Sequence, residues 1–103
     1  GRFAGDQYFF SLDDLDAHIE KLTTCLEELR KAAAKFDQDL EAAESSMLQL
    51  GSHPKVQSSE EMMRVEDAAQ EMRKNLDAAR SGIVHYEKEL EVAVGVAEEW
   101  RHE

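Results

Sequence analysis

Apolar and small residues recur along two stretches of the chain with spacings that alternate three and four without a fault. The first series is Leu12, Leu15, Ile19, Leu22, Leu26, Leu29, Ala33, Phe36, Leu40, Ala43, Met47 and Leu50. The second is Met62, Val65, Ala69, Met72, Leu76, Ala79, Ile83, Tyr86, Leu90, Ala93, Ala97 and Trp100. A repeat of this kind returns its apolar side chains to one stripe of an α-helix, so each series predicts a heptad seam, with Leu12 as the first a position and Leu15 as the first d. At 1.5 Å per residue each seam predicts a helix of roughly 60 Å.

Local signals place the ends of these helices. Ser11 is a good N-cap, Asp13 and Asp14 sit where the helix dipole favours negative charge, and Phe10 and Leu15 occupy the two positions of a hydrophobic staple. The first helix is expected to stop where Gly51 adopts a left-handed conformation and Pro54 cannot continue the turn. Ser58 and Glu61 then have capping-box spacing. The expected order is an aromatic N-terminal arm over 1–10, a helix over 11–50, a turn over 51–57 and a helix over 58–102. Residues 11–103 are expected to make a single helical hairpin.

Folded antiparallel, the facing seam positions sum to 112, so that Leu12 meets Trp100, Leu15 meets Ala97, Ile19 meets Ala93, and Phe36 meets Leu76. Large residues face small or medium ones through most of this register, as a seam without voids requires. The rows beside the seam differ. The e rows, Asp16, Thr23, Arg30, Asp37, Glu44 and Glu66, Arg73, Arg80, Glu87, are polar and predict a water-facing side, with Val94 as the exception. The g rows are mostly small and weakly polar. Cys25, Ala32, Ala68, Gly82 and Val96 on that side predict a flank that allows close approach by another helix pair. The expected fold class is all-α: an antiparallel two-helix hairpin, coiled-coil-like, that pairs into a four-helix bundle with itself or a related hairpin.

The open end of the hairpin gathers Phe3, Tyr8, Phe9 and Phe10 from the arm with Val92, Val94, Val96 and Trp100 from the second helix. There the arm either folds back over the valines as a cap or offers an aromatic plug to a partner. Phe3, Phe9 and Trp100 are the candidate partner contacts.

Composition narrows the function. The chain has 103 residues, 42% hydrophobic and 34% charged, with 23 acidic against 12 basic side chains and a formal net charge of −11. That charge repels phosphate backbones and anionic headgroups, and the bases are scattered, so nucleic acid and membrane are not the expected partners. The longest uncharged run, Val92 to Ala97, is far short of a membrane span. No signal-peptide pattern opens the sequence, and one cysteine cannot form an internal disulfide. A cytoplasmic setting, or export without a signal peptide, fits these features.

Catalytic chemistry is not expected. His18, His53, His85 and His102 are dispersed, and His85 with Glu89 reads as a solvated i,i+4 pair rather than a metal site. Cys25 has no neighbouring base placed to activate it. No phosphate-binding glycine loop occurs, and no cofactor is expected. Met47, Met62 and Met72 belong to the seams, whereas Met63 falls off them and is expected to be exposed.

With an aromatic arm and two equal helices, the chain resembles the small helical hairpins of bacterial type VII secretion, the Trp-x-Gly family and its relatives. The segment Tyr8-Phe9-Phe10-Ser11-Leu12-Asp13-Asp14-Leu15-Asp16 is similar in style to the start of actinobacterial members. At the family's Trp-x-Gly turn this chain has Gly51 without a tryptophan, and Leu90 stands where the export signal has an acid four residues after its tyrosine, here Tyr86. The resemblance implies a non-catalytic protein-binding hairpin that pairs into a homo- or heterodimeric bundle as a secretion substrate or partner. The alternative is a coiled-coil segment of a larger intracellular scaffold or tethering protein.

Overall fold

A computed structural model describes residues 1–52 and 59–103. The order is β1 (Arg2–Ala4), β2 (Gln7–Phe9), α1 (Leu12–Ser52) and α2 (Ser59–Arg101). The two helices pack antiparallel, so the fold is the all-α hairpin that the seams predict. Every position of both seams is buried or half-buried, and most of the remaining helical positions are exposed.

The helix start is the expected one: the Asp14 amide donates to Ser11 Oγ at 3.1 Å. The helix end is not. Gly51 is helical, and Gly5 is the only positive-φ residue described. One glycine in a last turn costs only about 1 kcal/mol relative to alanine, which a seam continuing through Leu50 outweighs. A Cβ at Gly51 would meet the Met62 thioether methyl at an ordinary contact distance of 3.8 Å, so packing does not require a glycine there. The turn around Pro54 and the Ser58 cap lie outside the described residues.

The chain divides into two compact units. The first comprises Gly1–Arg30 and Ser81–Glu103. Here the arm is a β-hairpin, with Arg2 opposite Phe9, Phe3 opposite Tyr8 and Ala4 opposite Gln7. Gly5 and Asp6 form the two-residue connection. Gly5 has φ +62°, whereas Asp6 stays at negative φ, the combination that a type II′ turn requires. The buried cluster is Phe9, Leu15, Leu22, Ala93 and Ala97, with Ala4, Val96 and Trp100 among the half-buried residues packed on it. The strands thus add a third layer over the helices. The expected staple is replaced: Phe10 is 79% exposed, and Phe9, at 5%, occupies the core with Leu15. Alternation along β2 turns Phe9 to the helices and Tyr8 away from them, and Phe10 lies just beyond the strand end.

The second unit, Lys31–Arg80, has no strand layer among its described residues, and only Ala69, Leu76 and Ala79 are buried there. Its other seam residues, including Phe36, Leu40, Met47, Val65 and Met72, are half-buried. Met63 is exposed, as expected for a residue off the seam.

Candidate protein-binding surfaces

The e rows do more than face water. In the first unit Arg30 pairs with Glu87 at 3.7 Å and Arg101 pairs with Asp16. In the second, Arg73 pairs with Glu44 at 3.6 Å and Arg80 with Asp37 at 4.0 Å. A seam register of 112 requires facing e positions to sum to 117, and all four of these pairs do. Eight charged side chains of this flank are therefore paired within the chain. The complementarity was present in the sequence as opposite signs at four rungs, with Thr23 and Val94 as an uncharged rung and Glu66 opposite Gly51, but classing the rows only as polar hides it.

The g flank has no such ladder among the described residues. Cys25 is an exposed free thiol in the first unit. In the second unit Ala32 is half-buried and Ala68 exposed. Two of the predicted contacts have internal reasons for their size or burial. Gly82 lies under Leu29, whose Cδ1 would stand 3.1 Å from a Cβ at that position. Val96 packs on the cluster that holds Phe9.

At the open end the predicted aromatic contacts separate. Phe9 is in the core beside His18, with ring centroids 5.0 Å apart, and so is not presented to a partner. Trp100 is half-buried beneath the Arg2 guanidinium, 4.9 Å from its ring centre, and Arg2 also pairs with Glu103. Phe3 faces outward with two residues of the same arm that the sequence did not mark as partner contacts, Tyr8 and Phe10. The Phe3–Tyr8 and Tyr8–Phe10 centroids are 5.2 and 5.0 Å apart, both edge to face. The signal for this grouping was the Gly5-Asp6 pair, a two-residue hairpin connection that puts Phe3 opposite Tyr8. The arm covers the core without capping all the valines: Val92 is 47% exposed and Val94 36%.

Beneath the hairpin turn lies an open groove of ≈ 490 Å³, lined by Gly5, Asp6, His18, His85, Glu89 and Val92 among others. His85 Nε2 lies 3.3 Å from Glu89 Oε1, an exposed i,i+4 pair. Among the described residues no three or more His, Cys, Asp or Glu side chains are grouped to hold a metal, and no helix is long and apolar enough to cross a membrane. The groove offers polar and charged contacts from Asp6, Gln7, His18, His85, Lys88 and Glu89.

No protein-family model, curated protein or solved structure matches the chain. The functional reading therefore rests on these surfaces.

Proposed function

We propose that this chain is a non-catalytic protein-binding helical hairpin that forms a homo- or heterodimeric four-helix bundle, with type VII secretion, as substrate or partner, the setting its sequence style suggests. The observation that carries the reading is the thin core of the second unit, where two alanines and one leucine are the buried residues among those described. Full burial of a leucine contributes about 1.5–3 kcal/mol and an alanine much less, so the half-buried Phe36, Leu40 and Met72, together with the exposed Leu48 and Met63, leave apolar surface still to be covered. One flank of that unit carries the ion pairs of Asp37 and Glu44; the other presents Ala32 and Ala68, over which a second helix pair can approach closely.

The test is mass in solution by light scattering across a range of concentrations. The expected value is about twice the 11.7 kDa of one chain, falling to that of one chain when Ala32 and Ala68 are both replaced by arginine. These positions are preferable to Gly82, whose replacement also disturbs Leu29. A chain that stays monomeric when concentrated, and whose melting temperature ignores both arginines, would remove the homodimer. A copurifying hairpin lost with the same substitutions would support the heterodimer.

Exposed Val92 and Val94 favour a second reading, a coiled-coil segment of a larger scaffold in which these valines meet other parts of the same protein. A parent chain several hundred residues long would select it.

A further inference from the structure

Alternation along the two strands gives the β-hairpin two unlike faces. Ala4 and Phe9 pack on the helices, whereas Phe3, Tyr8 and Phe10 point away, 64%, 43% and 79% exposed. Singly exposed apolar residues need no explanation, but here three rings touch and make one patch. Their edge-to-face contacts hold the rings in place, so a ligand meets a face that is already formed.

Charge selects the ligand. The first unit has 13 Asp and Glu against 5 Lys and Arg, a formal −8. Asp6 stands in the connection between the strands, and Asp13 and Asp14 open α1 just after Phe10. Arg2 is the only Lys or Arg among the first twenty residues, and Glu103 and Trp100 engage it. The aromatic face therefore lies in a negative field without a basic side chain of its own to answer it. Such a face attracts cations twice, through the ring quadrupoles and through the carboxylates, and the same field repels nucleic acid and anionic lipid.

The geometry points to this outward face as the docking surface for a basic segment of a partner protein, with Lys or Arg side chains laid over Tyr8 and Phe10 and paired with Asp6 and Asp13, and apolar side chains against Phe3. The inference rests on the reading of the chain as a protein-binding module, but it uses a different surface from the helix flank assigned to the bundle.

The probe is a short fluorescent peptide of alternating Arg and Leu, with a counterpart carrying Glu for Arg, titrated with the full chain and followed by anisotropy. The Arg peptide is expected to bind and the Glu peptide not to. Replacing Phe3 and Phe10 by serine should weaken binding about tenfold, and Asp6→Asn with Asp13→Asn should weaken it severalfold. Phe10→Ser alone serves if circular dichroism shows the double variant unfolded. The inference is overturned by an Arg peptide that does not bind, or by one that binds both serine variants undiminished, which would be attraction to acidic charge alone. Stronger attachment of the chain to phosphatidylcholine vesicles than to the peptide would overturn it in favour of a membrane surface. A loss of oligomeric mass on Phe3→Ser with Phe10→Ser would do so in favour of a second copy. Mass measured on the same samples keeps the two readings apart: a monomer that binds the peptide loses only the homodimer, and a dimer that ignores it loses only this docking surface.

Discussion

Gly82 and Leu29 meet so closely that a Cβ on the glycine would stand 3.1 Å from Leu29 Cδ1 and 3.7 Å from Cδ2. A residue whose smallness suggests room for a partner is thus small because its own chain fills the space. Gly95 is the contrast, a helical glycine with nothing within 4 Å of where its Cβ would stand. Gly95→Ala should raise stability by about 1 kcal/mol through helix propensity, and Gly82→Val should lower it by about 1–3 kcal/mol through overpacking against Leu29. Chemical denaturation of both variants checks this; a Gly82→Val protein as stable as the parent would mean that the contact is loose.

Phe9 and Phe10 are adjacent in sequence and opposite in consequence. Phe9→Ala should cost about 3–5 kcal/mol, because it removes the side chain that joins the strand layer to Leu15 and Ala97. Phe10→Ala should stay within about 0.5 kcal/mol of the parent. Thermal melts of the two variants read the difference, and equal losses would contradict the inward and outward assignment.

The e-row ladder fixes register as well as orientation. Sliding the pairing by one heptad would set Arg30 against Arg80 and Glu44 against Glu66 in one direction, and Asp37 against Glu87 in the other. A double-mutant cycle on Arg30 and Glu87, both about half-exposed, should give a coupling of about 0.2–1 kcal/mol that fades in concentrated salt. Coupling that survives high salt would assign the pair's contribution to packing rather than charge.

Ser11 ends the strand layer and begins α1 with a single side-chain hydrogen bond. Ser11→Ala should destabilise the protein by about 1 kcal/mol, whereas Ser11→Asp should retain most of the stability, because the carboxylate accepts from the same amide and suits the helix dipole. Denaturant midpoints of the pair test the cap, and an alanine variant at the parent's midpoint would show that the bond contributes nothing.

Each level of the structure was legible in proportion to how local its cause is. The seams, the Ser11 cap and the antiparallel register follow from spacing along a single helix and from the match of sizes and signs between two helices, so the residues alone determine them. The sequence also held the hairpin in Gly5-Asp6, but not the side of the strands that would turn to the helices. That choice puts Phe9 inside and Phe3, Tyr8 and Phe10 outside, and only packing against Leu15, Ala93 and Ala97 makes it. Gly82 shows the same limit: its size has meaning only beside Leu29, a neighbour that folding supplies. Periodicity tells a side chain which stripe it belongs to, whereas what covers that stripe is decided by residues distant in sequence, where the shape of each neighbour and the exclusion of water take over.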